Sequence, residues 1–140
     1  MAGREARPSA TAGVVCRLHA DVPRFLRVLA AAHDLAGEGY ITTLGISPSF
    51  PSTGYGYIER GELLGQVGEF PAYVARQFTE KPDAQTAVEF LASGRYSWNS
   101  GMFISRADTV LAEFARQRTT LHAQLDEIGA AVGRADYHTV

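Results

Sequence analysis

Apolar positions fall along this chain in two rhythms, short continuous runs and stretches spaced three and four apart, and their alternation predicts strands interleaved with helices. Val14-Val15-Cys16-Arg17-Leu18 predicts a short first strand. Asp21 predicts an N-cap, with Pro23 tolerated in the first turn, for a helix that carries Val22, Phe25, Leu26 and Leu29 on one face and runs to about Ala36. Gly37 and Gly39 stop it, and Tyr40-Ile41-Thr42-Thr43-Leu44-Gly45-Ile46 follows as a strand apolar on both faces. A strand, a helix and a doubly buried strand in that order imply a parallel pair, because parallel neighbours need a crossover. The expected class is therefore α/β, a mixed sheet with flanking helices.

Pro48 and Pro51 interrupt the pattern, and Thr53-Gly54-Tyr55-Gly56-Tyr57-Ile58-Glu59 resumes it as an aromatic strand holding two glycines. Gly56 between Tyr55 and Tyr57 suits either an edge bulge or the close approach of a ring-shaped ligand to the backbone. Arg60-Gly61 reads as a turn, and Tyr73 to Thr79 as a strand that delivers Glu80 and Lys81 at its C-terminal end, where open α/β sheets bind ligands. Asp83 caps a helix with Ala87, Phe90 and Leu91 inward, ended by Ser93-Gly94. In Tyr96-Ser97-Trp98-Asn99-Ser100-Gly101-Met102-Phe103-Ile104 the second half reads as a buried strand, and Asn99 either bonds nearby backbone or faces a ligand. Ser105 to Asp108 resembles a capping box for a helix bearing Val110, Leu111 and Phe114, and a last helix uses Leu121, Leu125, Ile128 and Val132.

Composition narrows the function classes. The 140 residues are 46% hydrophobic and 20% charged, with a formal net charge of -2, which fits one soluble domain and no nucleic-acid or anionic-membrane binder. No apolar run approaches the ~20 residues that span a bilayer, and the lone Cys16 excludes an internal disulfide framework, so a cytoplasmic home is expected. Residues 1 to 12 read as a loose N-terminus without the apolar stretch of a secretory signal, leaving 13–140 as the folded domain. Lys81 is the single lysine beside twelve arginines. A compact ammonium suits a phosphate held as a point charge, whereas the plain alternative for Glu80-Lys81 is a solvated pair before a Pro82-Asp83 turn.

Taken together, Thr53-Gly54-Tyr55-Gly56-Tyr57-Ile58-Glu59, Phe78-Thr79-Glu80-Lys81-Pro82-Asp83, Ser93-Gly94-Arg95-Tyr96 and Trp98-Asn99-Ser100-Gly101-Met102-Phe103 resemble the sugar-binding half of mannose-1-phosphate guanylyltransferases. The resemblance runs from about Asp21 to Gln117, and its Trp-Asn-Ser-Gly segment is what favours mannose over glucose. It implies part of a Rossmann-like mixed sheet of the nucleotide-diphospho-sugar transferase type. It also implies an activity, joining mannose 1-phosphate to the guanylyl group of GTP with Mg²⁺ and release of pyrophosphate. Carried onto this sequence, it makes Gly56 a backbone contact to the hexose, Glu80 and Asn99 readers of its hydroxyls, and Lys81 the catalytic holder of the sugar phosphate. Orientation and charge neutralisation are the protein's main work in such transfers.

Two departures qualify the resemblance. The family's opening Gly-x-Gly-Thr-Arg-Leu segment, which wraps nucleotide phosphates, has no counterpart here, and the positions of its Asp-His metal pair read Cys16 and Arg17. His19 and Asp21 stay open as substitutes, so no metal ligand is assigned. Three readings follow: an enzyme chain completed by a complementing subunit, a sugar-phosphate-binding or subunit-interaction module, or a truncated product. The last predicts an exposed sheet edge, exposed apolar surface and self-association.

Overall fold

Five strands and four helices alternate in the order the sequence pattern implies. They come from a computed structural model, which describes residues 11–16 and 21–133. The described residues divide into two units between Ser105 and Arg106.

The first unit begins with β1 (Thr11–Cys16), α1 (Val22–Gly37) and β2 (Ile41–Ile46). β1 starts inside the segment expected to be a loose N-terminus, because Thr11 to Cys16 lie in parallel register with Ile41 to Ile46. Arg17, Leu18 and His19 lie outside the described residues. Asp21 caps α1 as expected, its carboxylate accepting from the Arg24 N–H at 3.0 Å. The buried face differs from the expected one. Val28, Ala31, Ala32, Leu35 and Ala36 are buried, with Phe25 and Leu29 packed beside them, while Val22 and Leu26 are exposed. A 3.6-residue period centred on Val28, Ala32 and Leu35 carries Val22 and Leu26 off the stripe. Ala12 and Val14 of β1 and Leu44 of β2 close this core from the sheet side, each fully buried. A buried Val or Leu of this kind contributes roughly 1.5–3 kcal/mol.

β3 (Tyr57–Val67) and β4 (Phe70–Thr79) form one long antiparallel hairpin. The turn expected at Arg60-Gly61 is instead strand, and the chain reverses at Gly68-Glu69, where Gly68 takes a φ of 62°. Arg60 pairs with Ala75, and register shifts on both sides of it mark bulges, which a glycine beside a charged residue signals as readily as a turn. β5 (Tyr96–Ile104) pairs with β2 and, over Tyr96 to Trp98, with β3. Its buried part is the first half, Ser97 and Trp98. Phe103 in the second half is exposed, contrary to the expected buried run. β4 returns to pair with β1, so the order β1-β2-β5-β3-β4 closes on itself. The bare sheet edge foreseen for a truncated chain is thus absent among the described strands, although exposed apolar side chains such as Leu63 and Phe78 are present.

α2 (Ala84–Ser93) packs a second core, in which Tyr57, Ala87 and Trp98 are buried against Phe90 and Tyr96. Gly94 ends it in the left-handed region at φ 65°. At its start, Asp83 Oδ1 accepts from the Thr86 N–H at 2.7 Å, and this bond holds the carboxyl pKa below its ordinary value. A carboxylate with a lowered folded pKa stabilises fully above its unfolded pKa of ~3.9 and loses that effect as pH falls through the folded value. Asp83→Ala is therefore expected to lower the melting temperature by several degrees near neutral pH. The gap to wild type should close as the pH falls below the ordinary carboxylate range, as a thermal melt series reads directly.

The second unit holds α3 (Ala107–Gln117) and α4 (Thr119–Ala131), which pack on each other. The capping box expected from Ser105 does not form. Arg106 is the N-cap residue with no side-chain cap bond, and its guanidinium instead engages Asp108. That ion pair draws the Asp108 carboxyl down to about 2. Leu111, Leu121, Ile128 and Val132 are exposed.

Candidate functional site

Gly56, Glu80 and Asn99 come from three separate segments and meet. Gly56 ends the loop that leads into β3, Glu80 follows the last residue of β4, and Asn99 sits within β5. The Asn99 N–H donates to the Gly56 carbonyl at 2.8 Å. A Cβ built on Gly56 would stand 2.5 Å from Glu80 Oε2 and 3.6 Å from Asn99 Cβ, so the carboxylate lies directly over the glycine. Only a residue without a side chain leaves the Glu80 carboxylate there.

The Gly56 loop is tied down. Tyr57 is fully buried, and its hydroxyl donates to the Ser52 carbonyl at 2.9 Å, while Ser52 Oγ accepts from the Gly54 N–H at 3.2 Å. Tyr57 thus faces the core beside Phe90 and does not flank a ligand. Tyr55 is half-exposed and meets Trp98 edge-on with ring centres 5.0 Å apart, and Phe50 does the same at 4.9 Å. Nothing in the chain singles out Phe50 beforehand, since a lone phenylalanine between two prolines has no periodic partner.

Lys81 stands beside this group at the surface. Its Nζ lies 3.9 Å from Glu80 Oε1, and both side chains are about two-thirds exposed, at 67% and 69%. Among the described residues it is the one non-glycine with a positive φ, 44°. Pro82 follows it, and a proline narrows the choices of the residue before it. A lysine held in the left-handed region costs on the order of 1–3 kcal/mol.

Asn99 makes the local backbone bond. Its Oδ1 accepts from the Gly101 N–H at 3.0 Å and lies 3.3 Å from Thr43 Oγ1, while Nδ2 makes no hydrogen bond to a described residue. The turn bond and the free donor therefore belong to opposite ends of one carboxamide. Thr43, fully buried in β2, was not foreseen as a site residue, because a threonine in a β-branched run reads as packing alone.

A profile of the nucleotidyl transferase family matches residues 11–138, nearly the whole chain. The chain belongs to the nucleotidyl transferase family. Among nucleotidyl transferases, a mannose-1-phosphate guanylyltransferase of Klebsiella pneumoniae is 46% identical over 114 residues, covering 81% of this chain and 23% of the relative. One from Escherichia coli K12 is 36% identical over 149 residues, covering 94% of this chain and 31% of the relative. The chain thus spans about a quarter to a third of these relatives. The crystal structure of a mannose-1-phosphate geranyltransferase from Thermus thermophilus superposes with a TM-score of 0.69 at 29% identity, over 91% of this chain and 35% of that one. A Helicobacter pylori mannose-6-phosphate isomerase structure gives 0.64 at 29% identity, over 87% of this chain and 45% of that one. The expected resemblance and the α/β nucleotidyl transferase class are both met.

A metal centre is a different matter. No group of three or more His, Cys, Asp or Glu side chains among the described residues is placed to hold a metal ion. Asp21 is committed to its helix cap, and Cys16, a soft sulfur ligand, ends β1. No Mg²⁺ site is assembled among the described residues. A depression of ≈400 Å³ lined by Arg60, Gly61, Glu62, Val74 and Arg76 lies on the β3–β4 hairpin and shares no residue with the group around Gly56. Arg60 there is already engaged, donating to the Arg95 carbonyl at 3.2 Å.

Proposed function

We propose that this chain is the sugar-phosphate-binding part of a mannose-1-phosphate guanylyltransferase-type enzyme, with mannose 1-phosphate as its ligand. The observation that carries the reading is the convergence of Glu80 and Asn99 over Gly56, with the lysine ammonium beside them. A carboxylate accepts from two neighbouring hydroxyls, a carboxamide reads one oxygen, and the glycine leaves the Glu80 carboxylate room to stand in place. Lys81 lies beside Glu80, and a rotating ammonium meets a phosphate without a fixed fork.

In this reading Lys81 neutralises the sugar phosphate and orients its oxygen toward the α-phosphorus of GTP. The nucleotide, the transfer to GDP-mannose and a complementing subunit or second copy that supplies the remaining groups are part of the same proposal, as is a cytoplasmic location. No described helix is long and apolar enough to cross a membrane. Calorimetric titration of the purified chain with mannose 1-phosphate tests the reading, with glucose 1-phosphate and free mannose for comparison. Saturable binding is expected for mannose 1-phosphate, weaker binding for the other two. A folded chain that binds none of them removes the proposal.

A further inference from the structure

α2 is lightly seated for a helix that begins beside the site. Of its ten residues only Ala87 is fully buried, with Phe90 half-buried against Tyr57 and Tyr96, while Val88 is exposed. Its first turn is tied by the Asp83 cap, and its last by Gly94 and by one side chain from the sheet, Arg60. Arg60 brings three donors to that end. Its backbone N–H extends the β3–β5 ladder to the Arg95 carbonyl at 3.0 Å, Nε donates to the same oxygen at 3.2 Å, and Nη2 donates to the carbonyl of Gly94, the capping residue. The guanidinium also lies over the Tyr73 ring, 5.4 Å from its centre. A planar fork meets two neighbouring carbonyls and an aromatic face together, and a cation is the favoured charge where a helix leaves its last carbonyls unpaired. Register shifts on both sides of Arg60 set this residue apart from the regular ladder, which is the backbone's part in the same contact.

The other end of α2 carries the consequence. Lys81 stands between Thr79, which pairs with Tyr57, and Asp83, the N-cap, with Pro82 buried at the junction. Its φ of 44° is one that a lysine keeps only while the chain on both sides is held. The sheet holds one side and α2 holds the other. A short helix moves as one body, so freedom at its last turn is felt at its first.

We propose that Arg60 is a positioning residue that clamps the far end of α2 and thereby keeps Lys81 in the left-handed conformation that sets its ammonium beside Glu80. The bearing of Arg60 on ligand affinity rests on the sugar-phosphate reading above, whereas its hold on the Lys81 backbone does not.

Lys81 is the only lysine in the chain, so labelling with isotopic lysine alone gives one backbone amide signal in NMR of the full chain. In wild type that signal is expected to be sharp, with the intense amide-to-Hα Overhauser effect of a positive φ. In Arg60→Ala it should broaden or split and the Overhauser effect weaken, although the Arg60 backbone bond remains. The Kd for mannose 1-phosphate should rise about 3- to 10-fold in Arg60→Ala and rise no further when Arg60→Ala is added to Lys81→Ala. An unchanged lysine signal in a folded Arg60→Ala overturns the proposal, as does an equal extra loss on the Lys81→Ala background. Should Arg60→Ala fail to fold, Arg60→Met, which keeps an apolar stem and no side-chain donor, reads the same two outcomes. Wild type that shows the fixed lysine signal yet binds no mannose 1-phosphate removes the sugar-phosphate reading, and the lysine signal alone then decides the role of Arg60.

Discussion

Lys81→Ala is expected to weaken mannose 1-phosphate binding by about a hundredfold, the loss appropriate to a charge-assisted hydrogen bond, while leaving the melting temperature unchanged. The two halves of that expectation come from different observations. Nζ is 3.9 Å from Glu80 Oε1 and both groups are mostly in water, so their ion pair contributes little to folding. What the lysine does for the protein must then lie outside the fold. Its backbone makes the same point, since φ is 44° where glycine would rest without strain. Lys81→Gly is therefore expected to raise the melting temperature by a few degrees and to lose binding as completely as alanine does. Lys81→Arg should not restore it, because a planar guanidinium reaches farther and presents its donors in a fixed fork. Calorimetry beside thermal melts reads all three variants. A Lys81→Ala chain that binds like wild type ends the assignment of this residue.

Gly56→Ala is the second large effect, also about a hundredfold in Kd, and it acts through a residue it does not replace. The new methyl would stand 2.5 Å from Glu80 Oε2, inside any tolerable contact, and something must yield. The yielding part is the end of a flexible, exposed side chain, so the carboxylate swings away at small cost to folding. The sugar hydroxyls then lose their acceptor. Glu80→Gln should fall short of this loss, because a carboxamide in the original place still offers one acceptor oxygen. Combining Gly56→Ala with Glu80→Ala should cost little more than Glu80→Ala alone. If instead the two losses add, Gly56 contributes by some means other than clearing space for Glu80.

How much of this was readable from the letters alone depended on whether the deciding contact was local. Asp21, Asp83 and Gly94 act within one helical turn, so the limits of α1 and α2 followed from single letters. The doubly buried β2 was legible for a similar reason, an unbroken apolar run. Arg60-Gly61 misled because its glycine serves a bulge whose need arises only across the ladder, from Val74 and Ala75. The exposed Val22 and Leu26 show that an apolar stripe can be read one step out of phase when the core it meets is unknown. Gly56, Glu80, Lys81 and Asn99 were proposed as site residues through their neighbours in the chain. Thr43 was not, since its partner stands 56 residues away and its surroundings look like any β-strand.

The three contact points of the site each stand one residue beyond a paired position, Tyr57 facing Thr79 and Trp98 across the ladders, and the Asn99 N–H donates to the Gly56 carbonyl. A small molecule that touched all of them would act as a removable staple between a loop, a strand end and a strand interior. By mass action it would stabilise the folded chain by ~2.7 kcal/mol at a hundred times its Kd. The temperature at which this chain melts should then climb with ligand concentration, steeply for the right hexose phosphate and barely for the wrong one. Heat alone, with no turnover, would rank the sugars.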